Sequence, residues 1–363
     1  MRILLLEPYD TGSHGAWLRG YAASSAHEVG VLTLKGQFWK WRMHGGAVTL
    51  AHRFLDQDLV PDVILATDMV DVTTFLALTR RRTHSVPVAL SMHENQLTYP
   101  LQLGEKRDLH YGFVNYASML CANKILFNSR YHLDTWFDEL PRLLKHFPDH
   151  TELHTVAELE ARSEVLPLGL DLRSLDAYRT ADSGFRPPLI VWNHRWEYDK
   201  DPETFFHALY VLDERGADYQ VAILGEHFVR VPPVFDEARQ RLGTRVVHFG
   251  YAPSRAEYAR WLWRGDVLVS TARHEFFGAS VVEGTYCGCW SIVPHRLAYP
   301  ELIPVPLHDR CLYGDFDELV ALLTRALSDA DTPAELRTHV ARYDWSRTAP
   351  RYDQTLSEVA EGG

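Results

Sequence analysis

The feature that most constrains this chain is an alternation of short, apolar, β-rich runs with helix-length stretches. From residue 2 to 169 the runs are RILLLEP, HEVGVLTL, DVILATD, PVALSMHE, KILFNS and EVLPLG. After a Pro-rich break, SGFRPP at 183–188, a second series follows: LIVWNH, YQVAILGE, RVVHFG, DVLVSTA and CWSIVPH, ending near CLYGDF. Strands joined by helix-length crossovers pair in parallel, so each series predicts an open, doubly wound sheet. The expected fold is therefore α/β, with a Rossmann-like N-terminal domain over 1–182 and a second one over 183–344. Many runs stop at polar residues: Thr67-Asp68, His93-Glu94, Asn128-Ser129 and Asn193-His194. Ligands of open α/β sheets bind at the carboxyl ends of strands, so these tips mark the expected site. The stretch DELPRLLKHFPDHTELHTVAELE, 138–160, predicts a helix with a solvated charged face.

Composition narrows the partners. A formal net charge of −11 argues against broad nonspecific nucleic-acid binding, so any anionic ligand must be held by local donors. No apolar run reaches the roughly 18–20 residues of a membrane helix, and MRILLLEPYDTG lacks the cleavage region of a signal peptide. No membrane partner is expected. Cys121, Cys287, Cys289 and Cys311 form neither a dense disulfide framework nor a paired zinc pattern, which favours a reducing cytoplasm and no metal site. Cys287 and Cys289 are expected to be packing residues.

The stretch HEFFGASVVE places Glu275 and Glu283 eight positions apart, directly after DVLVSTA. Gly278, Ala279 and Ser280 would let a helix begin close to a ligand, its free N–H groups facing an anion such as a diphosphate. Carboxylates would repel that diphosphate, so both glutamates are suited to neutral hydroxyls, which a nucleotide sugar carries at its two ends. On spacing alone, two solvating surface glutamates remain an alternative. In VWNHRWEYDKDPETF, Arg195 and Lys200 stand at a strand tip where they can clamp phosphate oxygens, with Asp201 as the expected N-cap and Asn193 and His194 assisting. Alone, an Arg and a Lys in a loop are more often surface charges. The first turn, EPYDTGSHGAW, offers Gly12, Ser13, His14 and Gly15 but not GxGxxG, which weighs against a dehydrogenase. His93, Glu94 and Asn95 occupy a further tip.

HEFFGASVVEGTYCGCWSIVP resembles the E-x7-E signature of the retaining GT-B glycosyltransferases of family 4. GSH after the first strand, KWRMH, HENQLTYP and NHRWEYDKDPETF are similar to its tRNA-queuosine alpha-mannosyltransferase branch, and the likeness extends to the terminal YDWSRTAPRYDQ. The resemblance implies a GT-B fold, with the two domains facing each other across a cleft and a C-terminal helix, about 345–363, packed back on the first. By it, Glu275 contacts the donor hexose and Glu283 the ribose. Phe277, Gly278 and Ala279 present backbone groups, Arg195 and Lys200 stabilise the departing diphosphate, His93 positions the sugar, and Gly12, Ser13, His14, Glu94 and Asn95 approach the acceptor. One departure is Thr11, where that family has a second glycine.

The implied acceptor is tRNA, against the acidic balance of the chain. KGQFWKWRMHGG could reconcile the two: Phe38, Trp39 and Trp41 interleave with Lys40, Arg42 and His44, and aromatic faces with cations suit unstacked bases. Trp41 and Arg42 are the expected contacts, and Arg80, Arg81 and Arg82 could add charge. Buried tryptophans and a decorated helix end are the alternative. The function expected is metal-independent, retaining transfer of mannose from GDP-mannose to queuosine, with no cofactor beyond this co-substrate. The rivals are a family 4 enzyme with a lipid or saccharide acceptor, a nucleotide-sugar epimerase or phosphorylase, and a catalytically silent RNA-binding protein.

Overall fold

The structure is a computed structural model and describes residues 1–101, 106–179, 186–226, 232–329 and 332–362. Ser183, Gly184 and Phe185 of the expected break lie outside the described residues. Two compact units form: Met1–Leu170 with Trp345–Gly363, and Asp171–Asp344. The first carries β1 (Arg2–Asp10), β2 (Glu28–Lys35), β3 (Val63–Thr67), β4 (Val88–Met92), β5 (Lys124–Phe127) and β6 (Ser163–Val165) in the order β2-β1-β3-β4-β5-β6. The second carries β7 (Leu189–Asn193), β8 (Gln220–Leu224), β9 (Val246–Gly250), β10 (Val267–Val269), β11 (Trp290–Pro294) and β12 (Leu312–Tyr313) in the order β12-β11-β10-β7-β8-β9. All pairings are parallel. Every residue of β3, β4, β7 and β11 is buried, as helices on both faces of a parallel sheet require.

Strand order reverses beside β1 in the first unit and beside β7 in the second. Chains diverging at such a point leave a crevice at the strand ends, so β1/β3 and β7/β10 are the places where each unit can seat a ligand. These two crevices organise all the candidate residues.

The units divide at Leu170/Asp171, earlier than the expected boundary after residue 182. The reason is the 3-10 turn Arg173–Tyr178, which the second unit holds. Trp263 Nε1 donates to the Leu175 carbonyl at 2.7 Å and Tyr286 OH to Asp176 at 2.8 Å. The continuous helix expected over 138–160 is instead two, Arg130–Leu144 and His154–Ala161. Between them Pro148 interrupts and His150 and Glu152 adopt left-handed backbone angles, φ 48° and 50°, which end helical pairing.

The terminal helix Trp345–Gly362 belongs to the first unit. Tyr352 is fully buried there, and the Asp353 carboxylate accepts hydrogen bonds from Tyr21 OH at 2.8 Å, Ser25 Oγ at 2.6 Å and the Ala26 N–H at 2.8 Å. Bonds to a charged acceptor exceed neutral ones, and their loss strands a buried tyrosine hydroxyl. Asp353→Ala should therefore destabilise this unit by about 3 kcal/mol, read as a lower urea midpoint at unchanged slope. A midpoint equal to wild type would refute the tie.

Candidate functional site

At the β7/β10 crevice the chain buries a positive charge. Lys200, at the end of the short turn Tyr198–Lys200, is only 7% exposed. Its Nζ lies 3.1 Å from Asp199 Oδ2 and 3.6 Å from Glu275 Oε2, and donates to the His274 carbonyl at 2.9 Å. Burial alone would favour the neutral amine, but Glu275 and Asp199 reverse this and hold its pKa above the usual lysine value. Burial likewise opposes the Glu275 carboxylate, and Lys200 overrides it, keeping the pKa below the ordinary one. His194 is pushed down to about 3 by burial and by Lys200, so its ring is neutral, and Nδ1 lies 3.3 Å from Ser280 Oγ. The crevice thus holds a fixed cation, a fixed anion and a neutral imidazole.

Gly278 opens the next helix, Ala279–Tyr286, at φ 95°, where a Cβ would also meet Leu302 Cδ1 at 2.9 Å. Both conformation and space demand glycine here. Asn193 at the tip of β7 donates to the Ser280 carbonyl at 2.9 Å and to Tyr258 OH at 3.0 Å. Tyr258 OH in turn donates to Glu283 Oε2 at 2.8 Å, while Arg255 pairs with Glu283 Oε1 at 2.7 Å. Asn193, Ser280 and Glu283 are thereby linked around one helix start, and Lys200 and Glu275 form a second linked pair on the segments that lead into it. Phe277 is core, packed edge-on against Tyr343, leaving its backbone to face the turn: its N–H donates to Glu275 Oε1 at 3.4 Å.

Three details differ from the sequence expectation. Asp201 occupies the N-cap position but makes no capping bond. At φ 50° its carboxylate turns to Arg273, with two bonds of 2.9 Å, and to Thr204 Oγ1. Arg195 leans on Glu197 at 3.3 Å with its side chain half exposed. Tyr258 and Arg255 were not foreseen. They lie on a helix, Arg255–Arg264, whose charges look like a solvated face until β10 is placed beside β7.

The β1/β3 crevice is built on histidines. Glu7, fully buried within β1, meets His14 Nδ1 at 2.8 Å and accepts the Tyr9 N–H at 2.8 Å. His14 Nδ1 is 3.3 Å from His93 Nδ1, and Trp17 abuts His93 edge-on. Burial disfavours a charged His14, but the Glu7 carboxylate and its hydrogen bond prevail and raise the pKa to about 9. Burial and the neighbouring His14 charge keep His93 well below its usual value, hence neutral. Asp68 at the tip of β3 accepts the His93 N–H at 2.9 Å, and burial pushes its carboxyl up to about 7. Among the described residues, Thr67 Oγ1, Asp68 Oδ2, His93 Nε2 and Asn95 Nδ2 are buried without a hydrogen-bond partner. Such atoms are costly to strand, so their gathering at strand tips marks a surface prepared for ligand or water.

Glu7 escaped the sequence reading because it sits in an apolar run; an acid inside a buried strand is itself the signal, whereas Asp68 is one of the polar strand tips expected at the site. Among the described residues, ligand atoms of Glu7, His14 and His93 lie within 4.8 Å of one another, spacing that no sequence motif announced. Thr11 holds an extended backbone, φ −159°, so the turn needs no glycine there; Gly12 at φ 51° supplies the left-handed step, with Ser13 exposed beside it. Glu94 is half-buried at the tip of β4. Asn95 Oδ1 accepts the Leu97 N–H at 2.9 Å, fixing its own turn.

On the same unit, the helix Trp39–Leu55 follows β2. Phe38 and Trp41 are 76% and 65% exposed, Lys40 lies over the Trp39 ring, and Arg42 Nε donates to the Lys35 carbonyl at 3.1 Å. Trp39 is half-buried against Tyr111 and Met43. Of the three arginines expected to add charge, Arg82 does not: it stacks on Phe54 and donates to the carbonyls of Phe54 and Leu59. Arg80 and Arg81 are exposed. All four cysteines are free, and Cys287, Cys289 and Cys311 are buried. No helix among the described residues is long and apolar enough to cross a membrane.

A family model described as tRNA-queuosine alpha-mannosyltransferase N-terminal matches residues 2–170. The chain is 31% identical over 313 residues to a tRNA-queuosine alpha-mannosyltransferase of Drosophila melanogaster, covering 83% of this chain and 81% of the relative. Its fold is similar to that of sucrose-phosphate synthase from Thermosynechococcus elongatus, with TM-score 0.74, 14% identity and both chains fully covered. It is also similar to Anabaena HepE in complex with UDP, with TM-score 0.69, 15% identity and 99% and 100% coverage. Two six-stranded parallel sheets with flanking helices are the GT-B architecture of these structures.

The Glu7–His14 pair gives a signed pH dependence. Because the folded pKa of His14 lies above its ordinary 6.5, its contribution to stability is complete below pH 6.5 and is lost as pH rises through about 9. Glu7→Gln should remove that slope between pH 6.5 and 9 and return the His14 NMR titration toward its ordinary range. An unchanged titration midpoint would show that Glu7 does not hold the proton.

Proposed function

Because the chain belongs to the tRNA-queuosine alpha-mannosyltransferase family, we propose that it transfers a hexose from a nucleotide sugar to queuosine in a tRNA, the hexose being mannose and the donor GDP-mannose. The observation that carries this is the pair of buried Lys200 with half-buried Glu275 beside the Gly278 helix start, at the switch point of a parallel sheet. A carboxylate held ionised within a buried cluster is a fixed acceptor for sugar hydroxyls, while the cation and the helix N–H groups meet the diphosphate.

Roles follow from the partners. Glu275 orients the hexose, and Phe277, Gly278, Ala279 and Ser280 supply the turn that receives the diphosphate. Lys200 is preorganised by two carboxylates, whereas the Arg195 side chain is half exposed beside Glu197 and can turn to phosphate. Glu283 takes the ribose by exchanging a bond from Tyr258 or Arg255 for one from a ribose hydroxyl. In the first unit, neutral His93 contacts the sugar and cationic His14 the acceptor, with Gly12, Ser13, Glu94 and Asn95 around them. Trp41 and Phe38 offer free ring faces to bases, and Arg42 flanks them.

The proposed reaction is front-face and retaining. The bond from the anomeric carbon to the phosphate oxygen breaks as the acceptor oxygen bonds to the same face, and the hydroxyl proton passes to the leaving phosphate. Lys200 and Arg195 stabilise the charge that develops there. We propose that no metal is needed, because cations of the protein already occupy the phosphate end and each glutamate is engaged by one. A cytoplasmic setting suits the four free cysteines and the tRNA.

The test is nucleoside mass spectrometry of queuosine-containing tRNA after incubation with GDP-mannose. Queuosine gaining one hexose is expected; transfer only to lipid or saccharide acceptors in parallel arms would overturn the acceptor. Glu275→Ala should lower kcat roughly 100-fold or more and also lower the thermal transition, because Lys200 loses one of its two carboxylate partners; wild-type turnover by the folded variant would reject the role of Glu275. Among GDP, UDP and ADP, GDP should raise Tm most.

A further inference from the structure

We infer that the second unit carries a second anion site, built from arginines at the end of its sheet opposite Glu275 and Lys200, which takes backbone phosphates of the acceptor RNA. A cavity of about 580 Å³ opens between Arg186, ahead of β7, Asp266, ahead of β10, and Gly288, ahead of β11. It therefore lies at the amino ends of the strands whose carboxyl ends form the proposed donor site. Among the described residues, five arginines line it, 179, 186, 260, 264 and 337, against a single lining carboxylate, Asp266.

Charge bookkeeping decides what the cavity can hold. Arg186 pairs with Asp266 at 2.6 Å and Arg337 with Asp176 at 2.9 Å, so both are neutralised. Among the described residues, the Arg264 guanidinium donates to the neutral Gln220 amide, at 3.1 Å, and none of Arg264, Arg179 and Arg260 faces a carboxylate within ion-pair distance. Among the described residues, three guanidinium groups of this one concavity thus have no carboxylate partner, in a chain whose net charge is −11. Like charges gathered without counterions cost free energy that a bound polyanion would relieve.

Two of the five guanidinium groups are also held in place against aromatic rings. Arg179 and Arg337 both lie 5.0 Å from the Trp263 ring centre, and Arg337 is 4.7 Å from that of Tyr286. Trp263 is itself fixed through its bond to the Leu175 carbonyl. Stacked guanidinium groups keep their edges for phosphate oxygens and lose little freedom on binding. Arg179 and Arg260 are exposed at the rim, which suits a phosphodiester chain crossing the surface.

This inference rests on the tRNA acceptor proposed above, and the experiment separates the two. Filter binding of queuosine tRNA across a salt series would compare wild type with Arg260→Glu and Arg179→Glu, singly and combined, and with Arg260→Lys. The double variant should bind about tenfold more weakly, with the salt slope smaller by about one per lost contact, while Arg260→Lys retains wild-type affinity and the KM for GDP-mannose is unchanged. Wild-type binding of tRNA with no change in the double variant would overturn the site and leave the enzymatic function standing. Failure of the wild type to bind tRNA would overturn both. If the substitutions abolish thermal stabilisation by inorganic phosphate but leave tRNA binding intact, the cavity takes free phosphate and the RNA assignment fails.

Discussion

The ammonium of Lys200 is the interaction on which the second unit's site depends. A charge that deep is tolerated only with partners, and Asp199 and Glu275 supply them. The consequence runs outward: Glu275 stays ionised despite burial, His194 stays neutral, and Ser280 is held toward the helix start by its contact with His194. A site with charges fixed before the ligand arrives needs little reorganisation when charge moves in the reaction.

The first unit repeats this strategy with a different pair. Glu7 beneath His14 fixes a buried imidazolium, which in turn keeps His93 neutral. Each crevice at a strand-order reversal therefore contains a buried cation paired with carboxylate, Lys200 with two and His14 with one, and a neutral histidine. Parallel sheets converge their strand ends there, so polar residues placed at the tips of otherwise apolar strands meet without being neighbours in sequence.

How legible this was depends on the kind of signal. Eleven of the strands could be read as apolar, β-rich runs stopped by polar ends, most plainly β3, β4, β7 and β11, which are buried along their whole length, while β12 showed only as the end of the series near CLYGDF. The start of the helix at Ala279 followed from Gly278. The break between Leu144 and His154 did not, since the charged residues around it keep a helical spacing while the backbone at His150 and Glu152 departs from it. The roles of Asp201, Tyr258 and Arg255 could not be read either, because each depends on a partner more than 20 positions away. Arg82 shows the same limit: a cation next to two exposed arginines is indistinguishable in sequence, yet it serves the carbonyls of Phe54 and Leu59.

The central claim concerns where an activated hexose sits on this chain. The most direct measurement is a crystal structure of the protein soaked with GDP-mannose. Hexose hydroxyls on the Glu275 carboxylate and phosphate oxygens at Lys200 and the Gly278 turn are the predicted result. Density for the sugar nucleotide away from the β7/β10 crevice, with Glu275 still paired only to Lys200, would contradict it.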